Sequence, residues 1–301
     1  MSETHHISVC ICTYKRPKLL EKLLLSAEKQ DTEGRFYYSI VVIDNDRFES
    51  AREIVESYKL RSKLQVSYAV EPEQNIALAR NKAVENSNGD FIAFIDDDEF
   101  PEHDWLLNLY IAMRKFGAHG VLGPVKPYFE TNPPKWVIRG RLCERESFLT
   151  GEVIRKPKYT RTGNVLLDAS IFMDKENWFD PLFGKSGGED KDFFKRMIQR
   201  GKIFVWCNEA VVNEVVPEER LNRLYFIRRA LLQGVVSSRG LPLFSFWMTK
   251  SFIASIVYTA ILPILLLIRH DLFMQYLIKD CNHIGRILAV CGVKILKERT
   301  W

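Results

Sequence analysis

Three aspartates in a row, Asp96, Asp97 and Asp98, directly follow a short apolar segment, residues 91–95. Carboxylates this close repel one another and raise one another's pKa unless a cation lies between them. If the extended geometry of the apolar segment continues, the side chains of Asp96 and Asp98 point the same way. Hard oxygen ligands suit Mg²⁺ or Mn²⁺ better than zinc. The triplet therefore predicts a divalent-cation site that also accepts phosphate oxygens.

The same triplet has a purely structural interpretation. Aspartate is a favoured residue at helix N-termini, and residues 99–102 are typical of a helix entry before the periodic apolar pattern of residues 105–113. In that case the acids would cap a helix and hold no metal. Residue types alone leave both interpretations open.

A second acidic pair, Glu189 and Asp190, follows two glycines and precedes a helical pattern. Acidic residues in the first turn of a helix stabilise it by about 0.3–1 kcal/mol each, which is the structural interpretation. The chemical interpretation is general-base catalysis. A hydroxyl is a poor nucleophile, and a carboxylate that takes its proton accelerates its attack by about 10²–10⁴-fold. A cation site and a base in one chain predict a displacement reaction.

These residues need a scaffold that brings the ends of several segments together. We predict strands over residues 7–12, 39–43, 64–70 and 91–95, and helices after Pro17 and over residues 50–58, 77–85 and 105–113. Such alternation predicts an α/β fold with a mostly parallel sheet between helices, whose ligands bind at the carboxyl ends of the strands. Neither GxGxxG after the first strand nor GxxxxGK[ST] is present, so dinucleotide and P-loop sites lack support.

The C-terminal part differs in composition. From Glu219 onward there are twelve Lys or Arg against four Asp or Glu, in a chain whose net charge is +5. Residues 251–268 are uncharged and would span about 27 Å as a helix, close to the thickness of a bilayer core. Residues 279–297 mix basic and apolar residues, as in a membrane-surface helix. We predict a catalytic domain over residues 1–218 and a membrane-associated helical region over residues 219–301.

Residues 251–268 have more than one interpretation. Pro263 and the flanking Lys250 and Arg269 fit a kinked span, or a re-entrant or surface helix bound to anionic lipid, whereas a buried helix of a soluble protein has a similar composition. The polar residues 1–6 and the absence of a CxxC pair predict the cytosolic face of a membrane. Nucleic acid is not an expected partner, because the residues before Glu219 carry a net negative charge and only the residues from Glu219 onward are basic.

Five segments together resemble glycosyltransferase family 2, the inverting enzymes with the GT-A fold, and in particular bacterial exopolysaccharide or succinoglycan-type glucosyltransferases. The segments that carry the resemblance are residues 9–17, 41–45, 74–81, 96–98 and 187–190. Each pattern is loose alone, but the five in this order are specific. The resemblance implies a nucleotide-sugar donor, with UDP expected, a glycan or polyprenyl-linked acceptor, and the inner membrane of a bacterium.

The resemblance also implies roles for individual residues. The residues that would hold the donor are Thr13, Tyr14, Arg16, Asp44, Arg80, Asp96, Asp97 and, as a weaker candidate, Asn164. Asp98 would hold the metal, Mg²⁺ or Mn²⁺. Asp190 would be the base, with Glu189 beside it orienting the acceptor or the sugar. Many family members have a histidine near the metal where this chain has Asn213 and Glu214, so Glu214 is the expected substitute ligand.

Two other functions stay open. Sugar nucleotidyltransferases also combine an α/β sheet with metal-bound carboxylates, but they usually have a glycine-rich loop after the first strand, and residues 13–17 contain no glycine. A catalytically silent membrane scaffold with the same fold would release no nucleotide from any nucleotide sugar. Metal-dependent nucleotide release from UDP-, GDP- or TDP-sugars would separate these functions.

Overall fold

The chain forms two compact units in the computed structural model, which describes residues 4–185, 187–238, 242 and 245–293. The first unit comprises Met1–Lys126 and Arg145–Glu214, and the second comprises Pro127–Glu144 and Val215–Trp301. The predicted single boundary after residue 218 differs from this division, which groups residues 127–144 with residues 215–301. That segment is irregular, so it carries no periodic signal that would associate it with the later helices.

The strands and helices predicted over the first 116 residues are present, with bounds that differ by a few residues. The elements, in chain order, are β1 (His5–Thr13), α1 (Pro17–Ala27), β2 (Phe36–Asp44), α2 (Arg52–Arg61), β3 (Val66–Val70), α3 (Ile76–Glu85), β4 (Phe91–Asp96), β5 (Glu99–Pro101), α4 (Trp105–Phe116), β6 (Gly120–Leu122), β7 (Val125–Tyr128), α5 (Lys135–Arg139), β8 (Asn164–Asp168), α6 (Pro181–Gly184), α7 (Glu189–Gln199), β9 (Phe204–Trp206), β10 (Val212–Val215), α8 (Arg223–Ser237), α9 (Phe246–Ile268) and α10 (His270–Val290).

The first unit is built on a seven-stranded sheet with the order β3-β2-β1-β4-β8-β6-β9. The pairs β1/β2, β1/β4, β2/β3 and β6/β9 are parallel, and β8 is antiparallel to both β4 and β6. The α/β fold with a mostly parallel sheet is therefore confirmed. A smaller sheet has the order β5-β10-β7, and in it Glu214 of β10 is paired with Glu99 of β5.

Two apolar cores cover the two faces of the main sheet. Successive residues of β1 enter opposite cores, with Val9 packed beside α1, α2 and α4 and Cys10 beside α3 and α7. Helix α1 begins at Pro17, which needs no N–H partner there, and its leucines at positions i, i+3 and i+4 are fully buried. Each buried leucine contributes about 1.5–3 kcal/mol of transfer free energy. This packing makes the strand ends a rigid platform.

The acidic triplet does not cap the following helix. The strand β4 ends at Asp96, and β5 comes between the triplet and α4, which begins at Trp105. The N-cap residue of α4 is Asp104, whose side chain makes no capping hydrogen bond. The capping interpretation of the triplet is therefore wrong, because a separate strand occupies residues 99–101.

In the second unit, α10 packs against both α8 and α9. Gly234 of α8 and Gly285 of α10 allow the close crossing of their helices. A Cβ atom at Gly234 would collide with the carbonyl oxygen of Asn282, and one at Gly285 with that of Leu231. Helix α10 covers only part of the predicted segment 279–297, whose end lies outside the described residues.

Helix α9 is exposed along most of its length. It contains 23 residues, and its most apolar window has a mean hydropathy of 2.4 with 6% of that window buried. Pro263 lies inside the helix. The interpretation of residues 251–268 as a buried helix of a soluble core is therefore wrong for this chain. Within the described residues, α9 is the one helix long and apolar enough to cross a membrane.

Candidate active site

Three strands of the first unit end at one edge of the main sheet. Thr13 of β1 is the register partner of Asp44 of β2, and Cys12 of β1 is the partner of Asp96 of β4. The antiparallel β8 begins at the same edge, where Asn164 is paired with the end of β4. Ligands of α/β proteins bind at this edge, so it is the candidate site.

Asp97 ties the loop after β1 to the acidic triplet. Its two carboxylate oxygens accept hydrogen bonds from Thr13 Oγ1 and Arg16 Nη1, both at 2.9 Å. The same Arg16 nitrogen also donates to Asp98 Oδ2 at 3.1 Å. Burial raises the pKa of Asp97, and Arg16 and Thr13 oppose that rise. Two of the predicted donor-binding residues, Thr13 and Arg16, therefore hold the triplet in a fixed geometry.

Asp98 carries an incompletely neutralised charge. Burial, followed by repulsion from Asp96, Asp97 and Glu214, raises the pKa of Asp98 to about 7, although Arg16 lowers it. Glu99, which is 2% exposed, behaves in the same way, since burial and the neighbouring acids raise its pKa well above the ordinary value. Excess negative charge of this kind is what a bound cation relieves.

Arg80 of α3 connects the two acidic motifs. Its guanidinium pairs with Glu189 through Nη1, and its Nη2 lies 3.5 Å from Asp96 Oδ1. Burial lowers the pKa of Arg80, but Glu189 and Asp96 raise it more, so the net pKa lies above its usual value. Removing one partner from a buried pair typically costs about 3–5 kcal/mol. Arg80 therefore holds the first turn of α7 against the end of β4.

Glu189 and Asp190 occupy the first turn of α7, after Gly188 at a φ of 102°. The second carboxylate oxygen of Glu189, Oε2, is buried and has no hydrogen-bond partner among the described residues. Asp190 is partly exposed, and its Oδ1 accepts a hydrogen bond from the Lys191 N–H at 2.7 Å. Its charge interacts with that of Arg80. The structure thus brings the 189–190 motif and the triplet to one cleft.

Two arginines of the cleft were not identified from the sequence. Arg145 pairs with Glu214 and lies 4.0 Å from Glu99. Burial, followed by repulsion from Arg145, lowers the pKa of Arg161 to about 10, and Glu99, Asp190 and Glu214 oppose that shift. Both arginines lie in segments without periodicity. The only sequence signal near Arg161 was the candidate Asn164, three residues later.

Asn164 is fully buried at the start of β8. Its Oδ1 accepts a hydrogen bond from Trp105 Nε1 at 2.7 Å, and its Nδ2 donates to the carbonyl oxygens of Pro124 and Ala210 at 3.0 and 2.8 Å. Both N–H donors of the amide therefore have protein partners, and Asn164 anchors β8. The contact between Asn164 and the donor stays a prediction.

Asp44 is also fully buried. Its oxygens accept hydrogen bonds from the N–H groups of Asp46 and Ala51, at 3.0 and 2.7 Å, and from the Tyr68 hydroxyl at 3.1 Å. Asp44 therefore fixes the loop between β2 and α2. Tyr14, by contrast, is partly exposed on the loop after β1.

The residues of the cleft fit a divalent cation held jointly with a ligand. The carboxylates of the cleft are Asp96, Asp97, Asp98, Glu99, Glu189, Asp190 and Glu214, and its guanidiniums are Arg16, Arg80, Arg145 and Arg161. No group of three or more His, Cys, Asp or Glu side chains in the described part of the chain is placed to hold a metal ion. Mg²⁺ sites often use one or two carboxylates, with phosphates and waters completing the shell.

Comparisons with known proteins show the family to which the chain belongs. The sequence model described as Glycosyl transferase family 2 matches residues 8–176. The chain is 36% identical over 239 residues to the succinoglycan biosynthesis protein ExoM of Rhizobium meliloti (strain 1021). The match covers 79% of this chain and 76% of that protein. It is 25% identical to chondroitin synthase of Pasteurella multocida (strain Pm70), with 66% of this chain matched to 23% of that protein.

Solved structures of TarS from Staphylococcus aureus share the fold. TarS 1–349 superposes with a TM-score of 0.55 at 18% identity, and the match covers 95% of this chain and 92% of that one. The complex of the same TarS fragment with UDP-GlcNAc gives a TM-score of 0.54 at 16% identity, with the same coverage. The family match includes the acidic triplet and ends before Glu189.

Proposed function

Because this chain belongs to glycosyl transferase family 2 and is a glycosyltransferase, we propose that it moves a sugar from a UDP-sugar to a hydroxyl of a lipid-linked glycan. The proposed role is in bacterial surface polysaccharide synthesis. The donor class is supported by TarS, whose structures are complexes with UDP and with UDP-GlcNAc. The pathway is supported by the relative named for succinoglycan biosynthesis. Family membership counts against the sugar nucleotidyltransferase, and the nucleotide-release experiment below separates the enzyme from a silent scaffold with the same fold.

One contact carries the proposal. Arg80 pairs with Glu189 and lies 3.5 Å from Asp96, so the acidic pair and the acidic triplet share a buried guanidinium. A displacement reaction needs a base on one side of the anomeric carbon and a charge-stabilising group on the other. The two acidic motifs supply these groups within one cleft.

In the proposed reaction, Asp190 takes the proton of the acceptor hydroxyl. The hydroxyl oxygen forms a bond to the anomeric carbon on the face opposite the diphosphate, and the electron pair of the breaking carbon–oxygen bond leaves with the diphosphate. No covalent enzyme intermediate forms, so the configuration inverts. Asp190 is partly exposed, which allows it to release the proton to water after each turnover.

Asp98, with Glu214 nearby, would hold Mg²⁺ or Mn²⁺ together with the donor phosphates. The cation, when bound, supplies positive charge to the leaving diphosphate. Thr13, Arg16 and Asp97 keep Asp98 in position through their mutual hydrogen bonds. Thr13, Arg16 and Asp97 would therefore act on the donor indirectly, by holding Asp98 in place.

The remaining predicted residues would act in the substrate pockets. Glu189 Oε2, buried and without a partner among the described residues, is suited to accept a hydrogen bond from a substrate hydroxyl. Tyr14 would contact the nucleoside. Asp44 would shape the nucleoside pocket through the loop that it fixes.

A lipid-linked acceptor requires the enzyme to lie at a membrane. The exposed, apolar helix α9 supports membrane association, and the basic composition after Glu219 fits an anionic leaflet. Because UDP-sugars are the proposed donors, we place the active site on the cytoplasmic face of the bacterial inner membrane.

The experiment combines a donor screen with variants. UDP-, GDP- and TDP-sugars are tested for nucleotide release in Mg²⁺ or Mn²⁺, with metal chelation as a control. Asp190→Asn is expected to lower transfer by about 10²–10⁴-fold while UDP affinity stays near that of wild type. Asp98→Ala is expected to lower both the rate of transfer and the affinity for UDP. The matched control is Asp192→Asn in the same turn, because Asp192 pairs with Arg196 at 2.7 Å. Normal transfer by Asp190→Asn would refute the assignment of the base.

A further inference from the structure

The guanidiniums of the cleft differ in how they are paired. Arg16 binds Asp97 and Asp98, Arg80 binds Glu189 and approaches Asp96, and Arg145 binds Glu214 and approaches Glu99. Arg161 makes neither a hydrogen bond nor an ion pair with any residue that the structure describes. A guanidinium has five N–H donors, so Arg161 retains its whole capacity to bind an anion.

The backbone fixes Arg161 at the catalytic edge. The segment leads into β8, whose first residue is paired with the end of β4. A Cβ atom on Gly163 would lie 2.7 Å from Glu99 Oε1 and 2.8 Å from Asp96 Oδ2, so this glycine lets the chain lie directly against the acids. Thr162 is 1% exposed, which immobilises the residue next to Arg161. The position of Arg161 is therefore built into the sheet.

The surroundings of Arg161 contain both the proposed base and the proposed metal ligand. Its charge interacts with those of Asp190 and Glu214, and Glu214 in turn interacts with Asp98. The reacting part of the donor must lie between a base and a cation in the proposed reaction. Arg161 lies two residues before Gly163, which is packed against Asp96 and Glu99 in that same region.

We propose that Arg161 binds the diphosphate of the nucleotide sugar, an inference that rests on the proposed function. The resemblance to the family assigned donor contacts to Arg16 and Arg80, but both would have to give up carboxylate partners to make them. Arg161 has no such partner to lose. Its N–H groups would bind the phosphate oxygens and stabilise the charge that the diphosphate gains as the carbon–oxygen bond breaks.

The test measures nucleotide binding without turnover. The full chain is titrated with UDP, and separately with uridine, in Mg²⁺ by calorimetry. Arg161→Met is expected to raise the Kd of UDP by about 10- to 100-fold, as for loss of a charged hydrogen bond, and to leave the Kd of uridine unchanged. Arg161→Lys, which keeps the charge but loses the fork of donors, should bind UDP with intermediate affinity. The matched control is Arg155→Met, because Arg155 is exposed on the same segment.

The outcomes separate the inference from its premise. Unchanged UDP affinity in Arg161→Met, or an equal loss for UDP and uridine, would overturn the role of Arg161. A wild-type chain that binds no UDP with either Mg²⁺ or Mn²⁺ would instead overturn the proposed UDP-sugar donor. The thermal midpoints of all three variants are measured in parallel. If Arg161→Met proves unfolded, Arg161→Lys provides the test instead. A Kd of UDP for Arg161→Lys equal to that of wild type would then overturn the proposal.

Discussion

At the level of single residues, the cleft concentrates acids that burial and mutual repulsion make costly to ionise. Asp97, Asp98, Glu99 and Glu189 all have pKa values above the ordinary range, with burial as the largest cause in each case. Such groups bind protons more readily in the folded chain than in the unfolded one. The cation-free protein therefore loses stability when they ionise.

Asp98 gives this relation a testable form. The pKa of Asp98 is about 7 in the folded chain and about 3.9 when unfolded. The contribution of Asp98 to the free energy of unfolding therefore falls as pH rises from about 4 to about 7. With a metal chelator present, the wild-type thermal midpoint should decrease from pH 5 to pH 8, and Asp98→Asn should show a smaller decrease. Asp104→Asn is the control, because Asp104 is exposed and its side chain caps no helix N–H. Parallel curves for wild type and Asp98→Asn would contradict the prediction.

The sequence predicted the acids of the cleft better than its arginines. Asp96 to Asp98 and Glu189 with Asp190 lie at the boundaries of periodic segments, where a run of charges is visible. Arg145 and Arg161 lie in irregular segments, and surface arginines are common enough that residue type alone carries no signal. A sequence pattern also does not reveal that Trp105 and two carbonyl oxygens bind the amide of Asn164.

At the level of elements, strands buried on both faces were recognisable as apolar runs flanked by helical periodicity. The strands β6 and β9 have only three residues each, too few for a periodic pattern to appear. The antiparallel direction of β8 depends on the route of the chain between residues 128 and 164, which no local pattern encodes. Local patterns therefore predicted the strand that leads into the triplet and missed β8, the strand that follows Arg161.

Helix α7 provides a test at this level, because a glycine sets where it begins. Gly188, at φ 102°, is the N-cap residue before Glu189, whereas Gly201, at φ 80°, follows the other end of the helix. Alanine at either position should cost about 1–2 kcal/mol of stability, since L-residues avoid positive φ. Only Gly188→Ala should re-aim Glu189 and Asp190, and it should lower kcat by at least about 10-fold. Equal kcat in the two variants, measured by UDP release, would show that the start of α7 does not position the base.

At the level of the whole molecule, the candidate active site and the exposed apolar helix belong to different units. All the residues that we place in the active site belong to the first unit, and α8, α9 and α10 belong to the second. The second unit buries a small core of its own, which includes Val137 and Phe226. Its exposed apolar surface lies on α9, where Leu267 is 88% exposed. Large exposed apolar surfaces of this kind mark contacts with a membrane or a partner.

Vesicle flotation tests whether α9 binds a bilayer. The wild-type chain should float with vesicles containing anionic lipid. The double variant Ile256→Asp with Val257→Asp should remain in the dense fraction, because both residues are exposed at the middle of α9 and each aspartate at the centre of a bilayer costs about 2.5–3.5 kcal/mol. Leu60→Asp is the matched control, since Leu60 is 92% exposed on α2 in the first unit, and it should float like wild type.

If α9 lies flat on the surface, 0.5 M salt should release the protein, since charge screening removes the lipid attraction. An inserted helix should stay bound. A wild-type chain that floats with no vesicle composition would refute membrane association, and with it the reason for proposing a lipid-linked acceptor.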